Sequence, residues 1–220
     1  MAQPPPAVGL KYLMTDLLII DYGMGNLRSV QKAVERVGFA APISSDPDAV
    51  LKADRIILPG VGAFSDAIKC LHEKNLAEPI RQCIRRGTPF LGICLGLQLL
   101  FDESFEDGRH QGLGVLRGTV ERFNPHPPGK PHLKVPHIGW NRIAIRRSAP
   151  LLDGVPDGSH MYFVHSYYVK PADASVISTE TDYGVCFASM VWKDNLFATQ
   201  FHPEKSQTCG LRILTNFCRI

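Results

Sequence analysis

No apolar run in this chain approaches the roughly 20 residues that a bilayer-spanning helix needs, which removes a helical membrane span from consideration. Charge of one sign is equally scarce. The 24 Lys and Arg are nearly matched by 21 Asp and Glu, and a net charge of +3 supplies neither a nucleic-acid footprint nor a membrane-binding face. The six cysteines, at 70, 83, 94, 186, 209 and 218, include no pair separated by two or three residues. A zinc site and a disulfide framework are therefore unsupported, the expected setting is a reducing cytoplasm, and most of the cysteines read as small buried apolar groups. The histidines lack metal-ligand spacing. In DYGMGNLR, Arg28 stands where a dinucleotide fingerprint has its third glycine, and no Walker lysine follows a glycine loop, so no cofactor is expected. The opening MAQPPPAVGLKYLM has no basic head followed by an apolar stretch, so it is not a secretory signal. Its three successive prolines make residues 1–14 a flexible leader, with the folded part at 15–220 and Met14 a candidate start for it.

What is present is alternation. Strand 16-DLLIIDY-22 runs into a glycine turn and then NLRSVQKAVERVG, with Leu27, Val30, Val34 and Val37 on one helical face and Gly38 as the stop. A second unit pairs 53-ADRIILPG-60 with the helical GAFSDAIKCL, and NLAEPIRQCIRRG adds another helix whose Pro79 is tolerable only near its first turn. Strands that alternate with helices imply a parallel sheet with helical crossovers. The second half changes character. Segments 117–123, 160–170, 174–180, 183–192 and 195–201 read as successive strands with several antiparallel pairings, the five-proline stretch 124–136 as a loop, and TCGLRILTNFCRI as a closing helix. The expected fold is an α/β open mixed sheet, parallel in its middle with helices on both faces, and extended by antiparallel strands.

The third alternating unit carries the chemistry. In 89-PFLGICLGLQLL-100, Cys94 sits where a buried strand turns into a helix, with a glycine two residues to either side. A cysteine that only packed in the core would not need them; a nucleophile on a tight strand-to-helix turn would. Such an end of a parallel strand is where open sheets place their sites, and a helix N-terminus favours an anion. Lowering a thiol pKa from about 8.5 to below 7 takes roughly 2 kcal/mol, whereas an exposed helix terminus supplies about 0.3–1. A basic partner is therefore required.

That partner is in 199-TQFHPEKS-206. His202 and Glu204 are two apart, so an extended backbone points both the same way. Histidine can take the thiol proton and pass it to a leaving amine, while a carboxylate on its other nitrogen fixes the tautomer. A surface turn and a core cysteine are the plainer alternative; two context-rich segments together favour the triad Cys94, His202 and Glu204. An oxyanion formed by thiolate attack on a carboxamide needs donors. The N–H of Leu95 is the first, and the second comes from around Val61 and Gly62 in 59-PGVGAF-64, where Gly60 frees the backbone to turn. Gln98, one turn after Cys94, can reach a substrate amide, although a partly exposed helix glutamine is the commoner case. His165 alternates with Tyr162, Val164 and Tyr167 as a satisfied strand histidine would.

With these residues in hand the chain resembles the class I glutamine amidotransferases, whose marker is a GxCxG elbow followed about a hundred residues later by HPE. DYGMGNL, PGVGAFSDA, LGICLGLQLL, VPHIGWN, YFVHSYY and TQFHPEKSQ look like the glutaminase subunits of imidazole glycerol phosphate synthase, over about residues 15–220 and in the same order. The resemblance implies hydrolysis of glutamine through a cysteinyl thioester. It also implies a TIM-barrel cyclase subunit as partner in a heterodimer, which receives the ammonia for histidine biosynthesis. It puts Gly60, Ser166 and Tyr167 beside bound glutamine, and His137, Trp140 and Lys205 on the partner-facing side. Two other readings stay open: an amidotransferase subunit of anthranilate or GMP synthesis, and a catalytically silent binding subunit on the same fold. PHIGWN weighs against the first and the intact triad against the second.

Overall fold

The structure is a computed structural model that describes residues 17–129 and 132–220, so the leader assigned to residues 1–14 lies outside the described residues. In chain order the first half gives β1 (Leu17–Ile20), α1 (Leu27–Arg36), β2 (Ile43–Ser44), α2 (Pro47–Lys52), β3 (Arg55–Gly60), α3 (Phe64–Glu73), α4 (Ala77–Arg85) and β4 (Phe90–Cys94). There follow α5 (Leu95–Gln98), β5 (Phe101–Ser104), β6 (His110–Gln111), β7 (Leu116–Arg122), β8 (His137–Arg142) and β9 (Ala144–Ile145). The chain closes with β10 (His160–His165), β11 (Tyr167–Pro171), β12 (Ile177–Asp182), β13 (Cys186–Lys193), β14 (Leu196–Thr199) and α6 (Gln207–Arg219).

An eight-stranded sheet of order β2-β1-β3-β4-β14-β13-β12-β9 organises the molecule. Strands β2, β1, β3, β4 and β14 are parallel, and β13, β12 and β9 extend them antiparallel, which is the mixed architecture that the alternation predicts. Parallel strands buried on both faces need apolar residues at every position. Leu18 and Ile20 accordingly enter the core beneath α3 and α4, while Leu17 and Ile19 enter the one beneath α1 and α6. Local signals match. Asn26 caps α1 by accepting from the N–H of Ser29, Gly38 follows its end at φ 94°, and Phe64, Ala67, Ile68 and Leu71 form the buried stripe of α3.

Four readings need correction. The helix after Cys94 is a single turn, α5, because the chain bends at Leu99 into β5 rather than continuing along the leucines. The stretch 160–170 is two strands broken at Ser166: β10 pairs with β8, and β11 pairs with β7 in a separate four-stranded sheet. Residues 43–52, unassigned from sequence, form β2 and α2, the latter capped by Asp46 ahead of Pro47. PHIGWN, read only as a motif, is mostly the strand β8.

The glycines around Cys94 set how closely α5 approaches the sheet. A Cβ on Gly96 would land on the carbonyl oxygen of Leu58 in β3, and one on Gly92 would stand 2.8 Å from the carbonyl oxygen of Gly96. Both obstacles are backbone, which cannot swing aside. Gly96→Ala is therefore expected to cost about 3 kcal/mol, the upper end for overpacking, read as a lower urea midpoint at unchanged m-value. A midpoint equal to that of the parent chain would contradict this packing.

Candidate active site

Strand β4 ends on Cys94 with φ 55° and ψ −108°, a conformation that L-residues avoid. It holds the side chain off the end of the sheet, beside the C-terminal ends of β3 and β14, with Gly60 directly opposite Cys94 in the β3 register. The chain leaving β14 turns at His202 into a short 3₁₀ turn, Pro203–Lys205, because Pro203 can supply no N–H to a ladder. His202 Nδ1 donates to Glu204 Oε1 at 2.8 Å, and both side chains are almost completely buried.

That bond assigns the imidazole. With the Nδ1 proton on Glu204, Nε2 is the nitrogen that exchanges protons, and it is buried with no hydrogen-bond partner at hydrogen-bond distance. Burial opposes the charge on His202. The neighbouring Cys94 sulfur and the Glu204 carboxylate overcome that opposition, and its pKa is pushed up to about 10. An imidazolium set between sulfur and carboxylate is the expected resting form, and it is suited to deliver a proton.

A cavity of about 410 Å³ opens in front of the sulfur, within the range for small-molecule sites. Of the residues singled out from sequence, Cys94, Leu95, Val61, Gly62, Gln98, Ser166, Tyr167 and Lys205 line it. Gly60 does not. It is buried behind the cavity, where a Cβ would meet the Tyr22 hydroxyl at 2.6 Å and Leu95 Cβ at 2.8 Å, so its part is close backbone approach rather than substrate contact. His137 also departs from expectation. It is buried, 3% exposed, and stacks on Tyr183 and Phe163, so it presents no surface of its own; its strand neighbours Ile138 and Trp140 are the exposed ones, at 60% and 46%. Lys205 stands at the cavity rim with its ammonium 5.8 Å from the Tyr162 ring centroid, and Trp140 meets the same ring edge-on.

His165 is both a satisfied strand histidine and a wall of the cavity. Its Nδ1 donates to the Tyr167 carbonyl at 2.8 Å, which leaves Nε2 to accept from His137 Nδ1 at 3.0 Å, while His137 Nε2 accepts from the Asn141 amide at 3.3 Å. Burial holds both rings neutral, pushing His165 down to about 3 and His137 to about 4. Gln98 is fixed as well. Its Nε2 donates to the Tyr167 carbonyl at 3.1 Å and to Gln200 Oε1 at 3.2 Å, so only its Oε1, an acceptor, remains for a ligand.

Sequence reasoning missed Glu106, the one carboxylate among the described residues that line the cavity. Burial raises its pKa, opposed by the N–H of Phe64, which donates to it at 2.7 Å. No motif marks Glu106; it reaches the site only because α5 is short enough for β5 to carry the following turn back over the cavity. Among the described residues no group of three or more His, Cys, Asp or Glu side chains stands where it could hold a metal ion. No described helix is long and apolar enough to cross a membrane.

The family model "Glutamine amidotransferase class-I" matches residues 18–220. The imidazole glycerol phosphate synthase subunit HisH of Syntrophotalea carbinolica is 56% identical over 206 residues, covering 91% of this chain and 98% of that protein. The subunit of the same name from Aquifex aeolicus is 54% identical over 203 residues, covering 92% and 95%. Two solved structures from Thermotoga maritima share the fold at low identity. PurLQS has a TM-score of 0.69 at 18% identity, covering 92% of this chain and 97% of that one; a glutamine amidotransferase has 0.62 at 16%, covering 86% and 75%.

The elevated His202 pKa carries a stability consequence with a definite sign. A group raised from 6.5 on folding stabilises fully below about 6.5, and its contribution fades as pH climbs through about 10. The urea midpoint of the parent chain should therefore fall from pH 7 to pH 10 by more than that of His202→Asn. Parallel declines in the two proteins would exclude the charged imidazole.

Proposed function

This chain belongs to the class-I glutamine amidotransferases, and we propose on that premise that it is a glutaminase subunit of imidazole glycerol phosphate synthase. The observation that supports the reading is Cys94 on the cavity wall with the buried His202–Glu204 pair behind it, the imidazole next to that sulfur, in a chain more than half identical to named HisH subunits. The Cys94 sulfur attacks the side-chain carboxamide carbon of glutamine. The negative charge that develops on oxygen is met by the N–H of Leu95, at the free start of α5, and by N–H groups of the Val61–Gly62 segment. His202 gives its Nε2 proton to the departing nitrogen; ammonia leaves and a γ-glutamyl thioester stays on Cys94. Water then loses a proton to the same nitrogen as it attacks the thioester, and glutamate departs with the thiolate restored.

Glutamine itself is a zwitterion, and the cavity carries complementary groups. Glu106 suits the α-ammonium, Lys205 stands at the rim, and Gln98 Oε1 suits the carboxamide N–H group. Ser166 and Tyr167 form the facing wall. Ammonia that reaches bulk water is protonated and ceases to be a nucleophile. A partner must therefore cover the mouth. The exposed Ile138 and Trp140, with Lys205 beside them, suit a TIM-barrel cyclase subunit that takes ammonia directly and forms imidazole glycerol phosphate in histidine biosynthesis. Six free thiols are in keeping with a cytoplasmic setting.

The decisive experiment mixes the Cys94→Ala chain with the cyclase subunit. Product formation from ammonium salts should persist while formation from glutamine disappears; glutamine-dependent turnover in that variant would remove Cys94 from its role. For Glu106→Gln, the KM for glutamine should rise roughly ten-fold with kcat nearly kept, as expected when a ground-state ion pair is lost. A fall in kcat alone would place Glu106 elsewhere in the cycle.

A further inference from the structure

We propose that Gln200 is the residue that stabilises the Cys94 thiolate, by donating a side-chain N–H to the sulfur. The inference deepens the reading above and rests on Cys94 being the nucleophile. Gln200 is fully buried and lies inside the TQFHPEKSQ segment, where the sequence pattern gives it no role of its own. A polar residue in the run 196-LFATQF-201 is nevertheless costly unless both ends of its amide are satisfied. It lies two positions before His202, on the segment that carries β14 into the turn at Pro203–Lys205.

Both ends are satisfied, and the direction of each bond is forced. The Tyr167 carbonyl can only accept, so the group of Gln98 that touches it at 3.1 Å is its amide nitrogen. That nitrogen's second proton points to Gln200 at 3.2 Å, and the atom receiving it must be Oε1. Gln200 Nε2 is thereby left facing Cys94 Sγ at 3.6 Å as a donor. The Val164 carbonyl also faces the sulfur, at 3.9 Å; it can receive a thiol proton and repels a thiolate. The two contacts favour opposite protonation states. Gln200 is the one that strengthens when the proton leaves, because a charged acceptor makes the stronger bond.

This donor also answers a shortfall in the strand-to-helix turn. A four-residue helix supplies little macrodipole, so the anion needs a specific partner besides His202. Gln200 does not line the cavity, which separates its effect from substrate binding.

The test follows iodoacetamide alkylation of Cys94 in the full-length chain, resolved by mass spectrometry between about pH 6 and 9. Gln200→Met keeps the length and removes the donor; Gln200→Glu puts a carboxylate oxygen against the sulfur. At pH 7 alkylation should slow roughly ten-fold in the first variant and more in the second, with the half-maximal pH displaced upward in both. The glutaminase kcat should fall in step while KM stays near the parent value. If Gln200→Met does not fold, Gln200→Glu carries the decision. A folded variant whose alkylation profile overlays that of the parent, with or without a lower Tm, would overturn the proposal and leave Gln200 a packing residue. Failure of the parent chain to label selectively at Cys94 would instead strike the nucleophile assignment itself.

Discussion

The backbone of Cys94 is the constraint on which the site depends. A non-glycine residue at φ 55° and ψ −108° costs on the order of 1–3 kcal/mol, and nothing local offsets it. The offset comes from the sheet. β4 is buried between β3 and β14, and α5 packs its Gly96 against the β3 backbone so tightly that a single methyl would not fit. The strained residue therefore has nowhere to relax. Its sulfur is held at the ends of three adjacent parallel strands, and β14 leads directly into His202 and Glu204. The energy stored at one residue is the condition for placing the other two.

Around that sulfur the polar groups fall into two sets with different electrical character. His202 and Glu204 form a buried charged pair whose imidazole is held protonated. His165 and His137 are held neutral by burial, with no carboxylate hydrogen-bonded to them to offset it. The same side chain is thus charged on one wall and neutral on the other, and the identity of the nearest acceptor decides which. The Tyr167 carbonyl orders the neutral wall. It accepts from His165 and from Gln98, and through them it fixes one tautomer and two amide orientations, the last of which ends on Cys94. A main-chain oxygen whose polarity cannot reverse makes a better anchor for such a chain than a hydroxyl, which can.

Much of this could be read from the sequence, and the exceptions share a cause. Apolar periodicity located α1, α3, α4 and α6 because each buries one stripe against the sheet, and GxCxG with HPE pointed to the strand end at Cys94 and the bonded pair His202–Glu204 because both rest on local backbone geometry. What was misread depends on partners distant in sequence. Leucines 95–100 have helical character, yet the chain leaves the helix at Leu99, since Leu113 and Leu116 hold the following turn by backbone bonds to Leu99 and Leu100. YFVHSYYVK reads as one strand because its alternation is unbroken, but its two halves pair with β8 and β7 in different sheets. His137 looked surface-facing within a motif, whereas the pleat turns it inward and sends Ile138 and Trp140 out. Glu106 and Gln200 were invisible for the same reason: their roles come from facing Cys94 or the cavity across the fold.

The position of the exposed rim bears on how a free chain could avoid wasting glutamine. Val61, at the turn proposed to supply oxyanion donors, is itself solvent-exposed, and the segment around it carries Gly62 at φ 104°. Val61 is open to solvent where Cys94 is buried. A donor at Leu95 would be rigid because α5 is locked onto β3, whereas a second donor from the Val61–Gly62 turn would sit on backbone that a covering partner would touch. Losing one oxyanion donor lowers kcat by roughly 10² to 10³. A site with one donor built into the sheet and the other left at the surface can therefore be complete in its triad and still depend on a partner for most of its rate.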